Sequence, residues 1–138
     1  MNADDLPTLR EDLEAHDLWA NKGLGQHFLL DLNITRRIAK AAGELADQTV
    51  IEVGPGPGGL TRALLEAGAR VIAVEKDARF IPLLEPLIEW SEGRLTLVQG
   101  DALDVDEEKL LADTATAHVI SNLPYNVGTP LLVKWLKA

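Results

Sequence analysis

Two patterns of apolar positions alternate along this 138-residue chain: short unbroken runs, and stripes spaced three or four residues apart. Val50, Ile51 and Val53 form the first run, in TVIEVG. RVIAVE, Arg70–Glu75, is the second, Leu95, Leu97 and Val98 the third, and residues 118–121 the fourth. Short apolar runs rich in β-branched residues and bounded by glycine predict buried strands. Between the first two, LTRALLEAG places Leu60, Leu64 and Leu65 on one side of a helix, with Gly68 as its stop. Asp77 starts a further helix, which Pro82 and Pro86 are expected to kink or split. Residues 104–113 read as an acidic helix or loop. Thr129 with Pro130 begins a last helix carrying Leu131, Leu132, Val133 and Leu136. Ahead of the first strand, Thr8 and Glu11 make a capping box for a short helix over Leu9–Ala15. Asp31 caps a second helix that runs to about Ala42 and stops at Gly43; Arg36, Arg37 and Lys40 give it a basic side. Residues 21–30 are a glycine-punctuated loop. The order, helices and then β-α-β-α-β-(α)-β-α, predicts an α/β fold with a parallel sheet and helices on both faces. Residues 1–46 are expected to form a helical and loop segment over the ligand site, and residues 47–138 a partial Rossmann-like domain, within one domain overall.

Between the first strand and its helix stand Gly54, Gly56, Gly58 and Gly59, in GPGPGG. Glycine permits a tight turn and close approach of backbone to a ligand, because no Cβ intervenes. Gly54, Gly56 and Gly59 match G-x-G-x-x-G, so a dinucleotide ligand has to be weighed. Pro55 and Pro57 carry no N–H, which removes two donors that a pyrophosphate would use. Glu52, two residues before the turn, would repel an anion. A cationic ligand without phosphate fits better, and S-adenosylmethionine has that chemistry. An NAD-dependent oxidoreductase is the competing reading, and a module that binds cofactor without turnover is a third.

Other polar groups end the later strands. Glu75 closes the second, where a carboxylate can accept hydrogen bonds from both ribose hydroxyls of an adenosine. Asp101 follows the third, placed to accept from an adenine amine. Asn122 follows the fourth, in NLPYN. The lone pair of an exocyclic adenine amine is delocalised into the ring. The Asn122 carboxamide oxygen and a neighbouring carbonyl, accepting its two N–H groups, would favour a pyramidal nitrogen. Pro124 would stiffen the Leu123–Pro124 step, and Tyr125 would stack on the base, so that catalysis is mainly orientation.

Composition narrows the classes. The formal net charge of −9 argues against a nucleic-acid surface spread over the whole chain. There are no cysteines, so disulfides, thiolate metal sites and a cysteine nucleophile are excluded, and His16, His27 and His118 are too scattered for a metal motif. No apolar run reaches membrane-spanning length. The expectation is a cytoplasmic protein with no metal and no membrane partner.

The motifs GQHFLLD (residues 25–31), IEVGPGPGGLT, VIAVEKD, GDALD and NLPYNVGTPLL together resemble the N-terminal part of the small-subunit ribosomal RNA adenine dimethyltransferases of the KsgA type. The resemblance implies a class I methyltransferase fold and S-adenosylmethionine as cofactor, held by His27, Leu29, Gly54, Gly56, Glu75, Asp101 and Asn122. Asn122, Leu123, Pro124 and Tyr125 would form the catalytic loop. The family usually has asparagine where this chain has His27. The implied reaction is transfer of two methyls to N6 of each of two adjacent adenosines in small-subunit rRNA, on the immature small ribosomal subunit. A cousin family methylates a large-subunit adenine, but GPGPGGLT and NLPYNVGTPLL resemble the first family more. That family's domain continues past the equivalent of Ala138. The chain is therefore expected to be a fragment whose fourth strand lacks a neighbour and which self-associates or is marginally stable.

Overall fold

The computed structural model describes residues 2–16, 31–101 and 117–121. At its centre is a parallel sheet of β1 (Thr49–Val53), β2 (Arg70–Glu75), β3 (Leu95–Gln99) and β4 (Ala117–Ser121), in the order β3-β2-β1-β4. All four strands lie within a residue of the predicted runs. Among the described residues β4 pairs only with β1.

Among the described residues four α-helices accompany the sheet: α1 (Leu9–Ala15), α2 (Leu32–Ala41), α3 (Gly59–Glu66) and α4 (Ile81–Trp90). The predicted caps are in place. Thr8 Oγ1 accepts the Glu11 N–H at 3.1 Å, and Asp31 Oδ1 accepts the Asn33 N–H at 2.8 Å. A 3-10 turn at Ala3–Asp5, which the pattern did not predict, precedes α1.

Strand alternation divides the sheet into two faces. Val50, Val71, Ala73 and Leu95 share one hydrophobic core with residues of α1 to α4, including Leu13, Ala39, Leu64, Leu65, Leu84 and Leu87. Ile51, Val53 and Val74 point the other way and are buried too. The predicted helices after β3 and β4 lie outside the described residues.

One expectation is met only in part: the helical stretch that Asp77 caps comes in two pieces, a 3-10 turn at Ala78–Phe80 and then α4, but Pro86 does not interrupt α4, which runs over Ile81–Trp90. Pro82 falls in the first turn, where the N–H that proline lacks would have no intrahelical acceptor. Pro82 and Pro86 are one turn apart and exposed, so the Pro82 carbonyl that Pro86 leaves unbonded lies on the wet side. The basic side of α2 is divided between a neighbouring helix and solvent. Arg36 is committed to Glu66, with Nε and Nη2 donating at 2.7 and 2.8 Å, while Arg37 and Lys40 are exposed.

Candidate functional site

The site grows from β1. After Val53 the backbone turns through Gly54, Gly56 and Gly58 at φ of 72°, 56° and 95°, left-handed values that a residue with a Cβ adopts only at a cost. A Cβ on Gly58 would lie 3.1 Å from Leu87 Cδ1 and 3.2 Å from Leu84 Cδ2, so this glycine also lets α4 close against the turn.

The N–H groups of the turn are committed inside the chain. Gly54 donates to the Val74 carbonyl at 3.0 Å, Gly58 to the Pro55 carbonyl at 3.0 Å and Gly56 to Glu75 Oε1 at 2.8 Å. Pro55 and Pro57 have none. From Gly54 to Gly58 no donor is left for a phosphate, which weakens the case for a dinucleotide.

Glu75 ends β2 and is 6% exposed. Besides Gly56, the Asp77 N–H donates to its other oxygen at 2.9 Å. Two fixed donors orient the carboxylate and leave two of its roughly four lone-pair positions for a ligand. Burial pushes its pKa up, and the N–H groups of Asp77 and Gly56 pull it back.

The tip of β3 lies beside that of β2. Gly100 donates to the Glu75 carbonyl at 2.9 Å, and Lys76 Nζ stands 3.5 Å from Asp101 Oδ2. Lys76 is largely exposed, so this ion pair fixes Asp101 only loosely. On the other side of β1, Ser121 is in register with Val53, so the residues before Asn122 and before Gly54 are neighbours. The fold thus brings Gly54, Gly56, Glu75 and Asp101 to one end of the sheet. His27, Leu29, Asn122, Leu123, Pro124 and Tyr125 lie outside the described residues.

Glu52 is not where the sequence reading put it. It does not face the mouth of the turn; it is 2% exposed on the helix-facing side of β1, where Thr61 Oγ1 donates to its Oε1 at 2.5 Å. Burial pushes its pKa up to about 7, against the opposing Thr61 bond, and the nearby Glu75 adds to the rise. Arg62, which drew no attention in the sequence, is 3% exposed and bound to Asp12 at 2.7 Å. A polar Thr-Arg pair inside an otherwise apolar α3 was the available signal.

A parallel sheet carrying a glycine turn after its first strand and an acid at the tip of its second is Rossmann-like, and the solved structures it matches make it a class I methyltransferase fold. The 23S rRNA methyltransferase ErmE superposes with a TM-score of 0.60 and 28% identity, over 76% of this chain and 40% of its own. The glycopeptide N-methyltransferase MtfA complexed with S-adenosyl-L-methionine gives 0.57 and 23%, over 77% and 48%, a likeness of fold. The family model for ribosomal RNA adenine dimethylase matches residues 18–138, and the chain belongs to that family. It is 67% identical over 136 residues to ribosomal RNA small subunit methyltransferase A of Phenylobacterium zucineum, covering 99% of this chain and 47% of that protein. The chain thus spans about half the length of the curated relatives it matches. No metal-binding cluster and no helix long and apolar enough to cross a membrane occur among the described residues.

Proposed function

We propose that the protein uses S-adenosylmethionine to dimethylate N6 of two adjacent adenosines in small-subunit rRNA, on the immature small ribosomal subunit. The observation that carries the cofactor reading is the pairing of Gly56 with Glu75. The glycine turn gives its one central N–H to a carboxylate rather than offering it to a phosphate. The turn from Gly54 to Gly58 therefore presents a carboxylate and no spare N–H, which suits an adenosine bearing a cationic sulfonium.

Glu75 would accept the ribose hydroxyls on its remaining lone pairs, and Asp101 the adenine amine. Gly54 and Gly56 would let the amino-acid part lie against the backbone, with His27 and Leu29 completing the contacts. When bound, S-adenosylmethionine supplies an electrophilic methyl. The chain's own work is then orientation. Asn122 accepts an N–H of the target N6, Leu123 and Pro124 hold the loop, and Tyr125 stacks on the base. A paired N6 is out of reach, so the target adenines have to be unpaired or flipped.

The high identity to a small-subunit methyltransferase favours that substrate over the large-subunit one, for which the 23S enzyme is a more distant likeness. Calorimetry with S-adenosylhomocysteine and with NAD tests the cofactor, and binding of NAD alone would overturn it. Radiolabelled methyl transfer to immature small subunits tests the reaction. Label appearing only in large-subunit RNA would move the protein to the cousin class.

A further inference from the structure

Residues 2–16 precede the matched range, which starts at residue 18, yet they are built into the body of the domain. Ala3, Leu9 and Leu13 are buried. Two polar contacts, one of them ionic, fasten the segment to α3 at Arg62 and Glu66, residues one turn apart. Glu66 accepts Arg36 and also the Ala3 N–H at 2.8 Å. Arg62 donates from Nη1 to the Pro7 carbonyl and from Nη2 to Asp12 Oδ2 at 2.7 Å. Its Nε is buried without an acceptor. Burial draws the Arg62 pKa below its ordinary value, and Asp12 opposes this. Removing one partner of such a pair strands a buried charge, so the bond holds the two segments tightly together.

The Arg62 contact acts where the ligand turn ends. The Arg62 N–H closes the first turn of α3 onto the Gly58 carbonyl at 2.9 Å. Thr61, the preceding residue, holds Glu52 on the sheet side, and Leu84 and Leu87 crowd Gly58 from α4. The first turn of α3 is therefore held on three sides, and the N-terminal segment supplies one of them.

We propose that Asp12 and Arg62 are a positioning pair for the cofactor: through Arg62 the N-terminal segment fixes the first turn of α3, and with it the Gly54–Gly58 turn. This rests on the S-adenosylmethionine reading of the crevice. The Arg36–Glu66 pair grips the last residue of α3, about one turn beyond Arg62, and serves stability alone.

The test is calorimetric titration with S-adenosylhomocysteine at a temperature where circular dichroism shows each protein folded. Asp12→Asn is expected to weaken binding five- to twentyfold, and Asp12→Glu to restore it to within about threefold. Arg36→Met is expected to lower the melting temperature and leave Kd at the wild-type value. If Asp12→Asn does not fold, the apolar double variant Asp12→Leu/Arg62→Met takes its place, with the same weakening expected. Kd within twofold of wild type in the variant tested overturns the proposal, as does an equal loss in Arg36→Met. A wild-type chain that binds no S-adenosylhomocysteine overturns the cofactor reading and this inference with it. Wild-type binding with an unaffected Asp12 variant overturns this inference alone.

Discussion

Replacing Glu52 by glutamine is expected to change how stability depends on pH. The carboxyl sits 2% exposed between β1 and α3, and its pKa is pushed from an ordinary 4.5 to about 7 by burial. The folded state therefore holds this proton more tightly than the unfolded chain does. The resulting stability is fully present below pH 4.5 and is lost as pH rises through 7. At 1.36 kcal/mol for each pH unit between the two values, the loss amounts to about 3 kcal/mol. That is a large part of the roughly 5–15 kcal/mol by which a domain is ordinarily stable. Glutamine keeps an oxygen to accept the Thr61 hydroxyl and never ionises. Glu75, also raised by burial, acts in the same direction, while Glu66 is lowered by its hydrogen bond to Arg36 and acts at more acid pH. The difference between the two proteins reports Glu52 together with its coupling to Glu75. Urea unfolding from pH 3.5 to 9 should show Glu52→Gln gaining about 3 kcal/mol on wild type between the ends of that range. Parallel stability curves, with a difference constant to about 0.5 kcal/mol, would refute the buried-acid argument.

Other expectations follow from the same geometry. Glu75→Ala should weaken S-adenosylmethionine binding by roughly 1.5–3 kcal/mol, the worth of hydrogen bonds to a charged group; unchanged affinity by calorimetry would remove Glu75 from the site. Gly58→Ala should destabilise the fold by about 1–3 kcal/mol, because φ is 95° and the new Cβ meets Leu84 and Leu87; an unshifted urea midpoint would contradict that packing. Under the proposed function, Asn122→Ala and Tyr125→Ala should lower methyl transfer far more than melting temperature, and near-normal turnover in either would count against an orienting loop. Sedimentation of the isolated chain tests the expectation of self-association through β4, and a monodisperse monomer would end it.

Much of this architecture was legible in the chain. Local rules sufficed for the four strands, for the caps at Thr8 and Asp31, and for the stops at Gly43 and Gly68, because each depends on a few neighbouring residues. Glu75 and Asp101 were legible as strand-tip acids for the same reason: a strand's end can be read without knowing its neighbours. The tertiary structure decided what lies on the second side of each element. Periodicity exposed the Leu60, Leu64 and Leu65 face of α3, but every residue from Gly59 to Leu65 is buried. Thr61 is buried because Glu52 stands opposite it on β1, and Arg62 because residues 7 and 12 close over it. Likewise α4 tolerates Pro86 because that face is wet. A helix pattern reports which side prefers to leave water; which of its polar side chains also leave it depends on the partner that arrives from elsewhere in the chain, and on whether that partner brings the opposite charge.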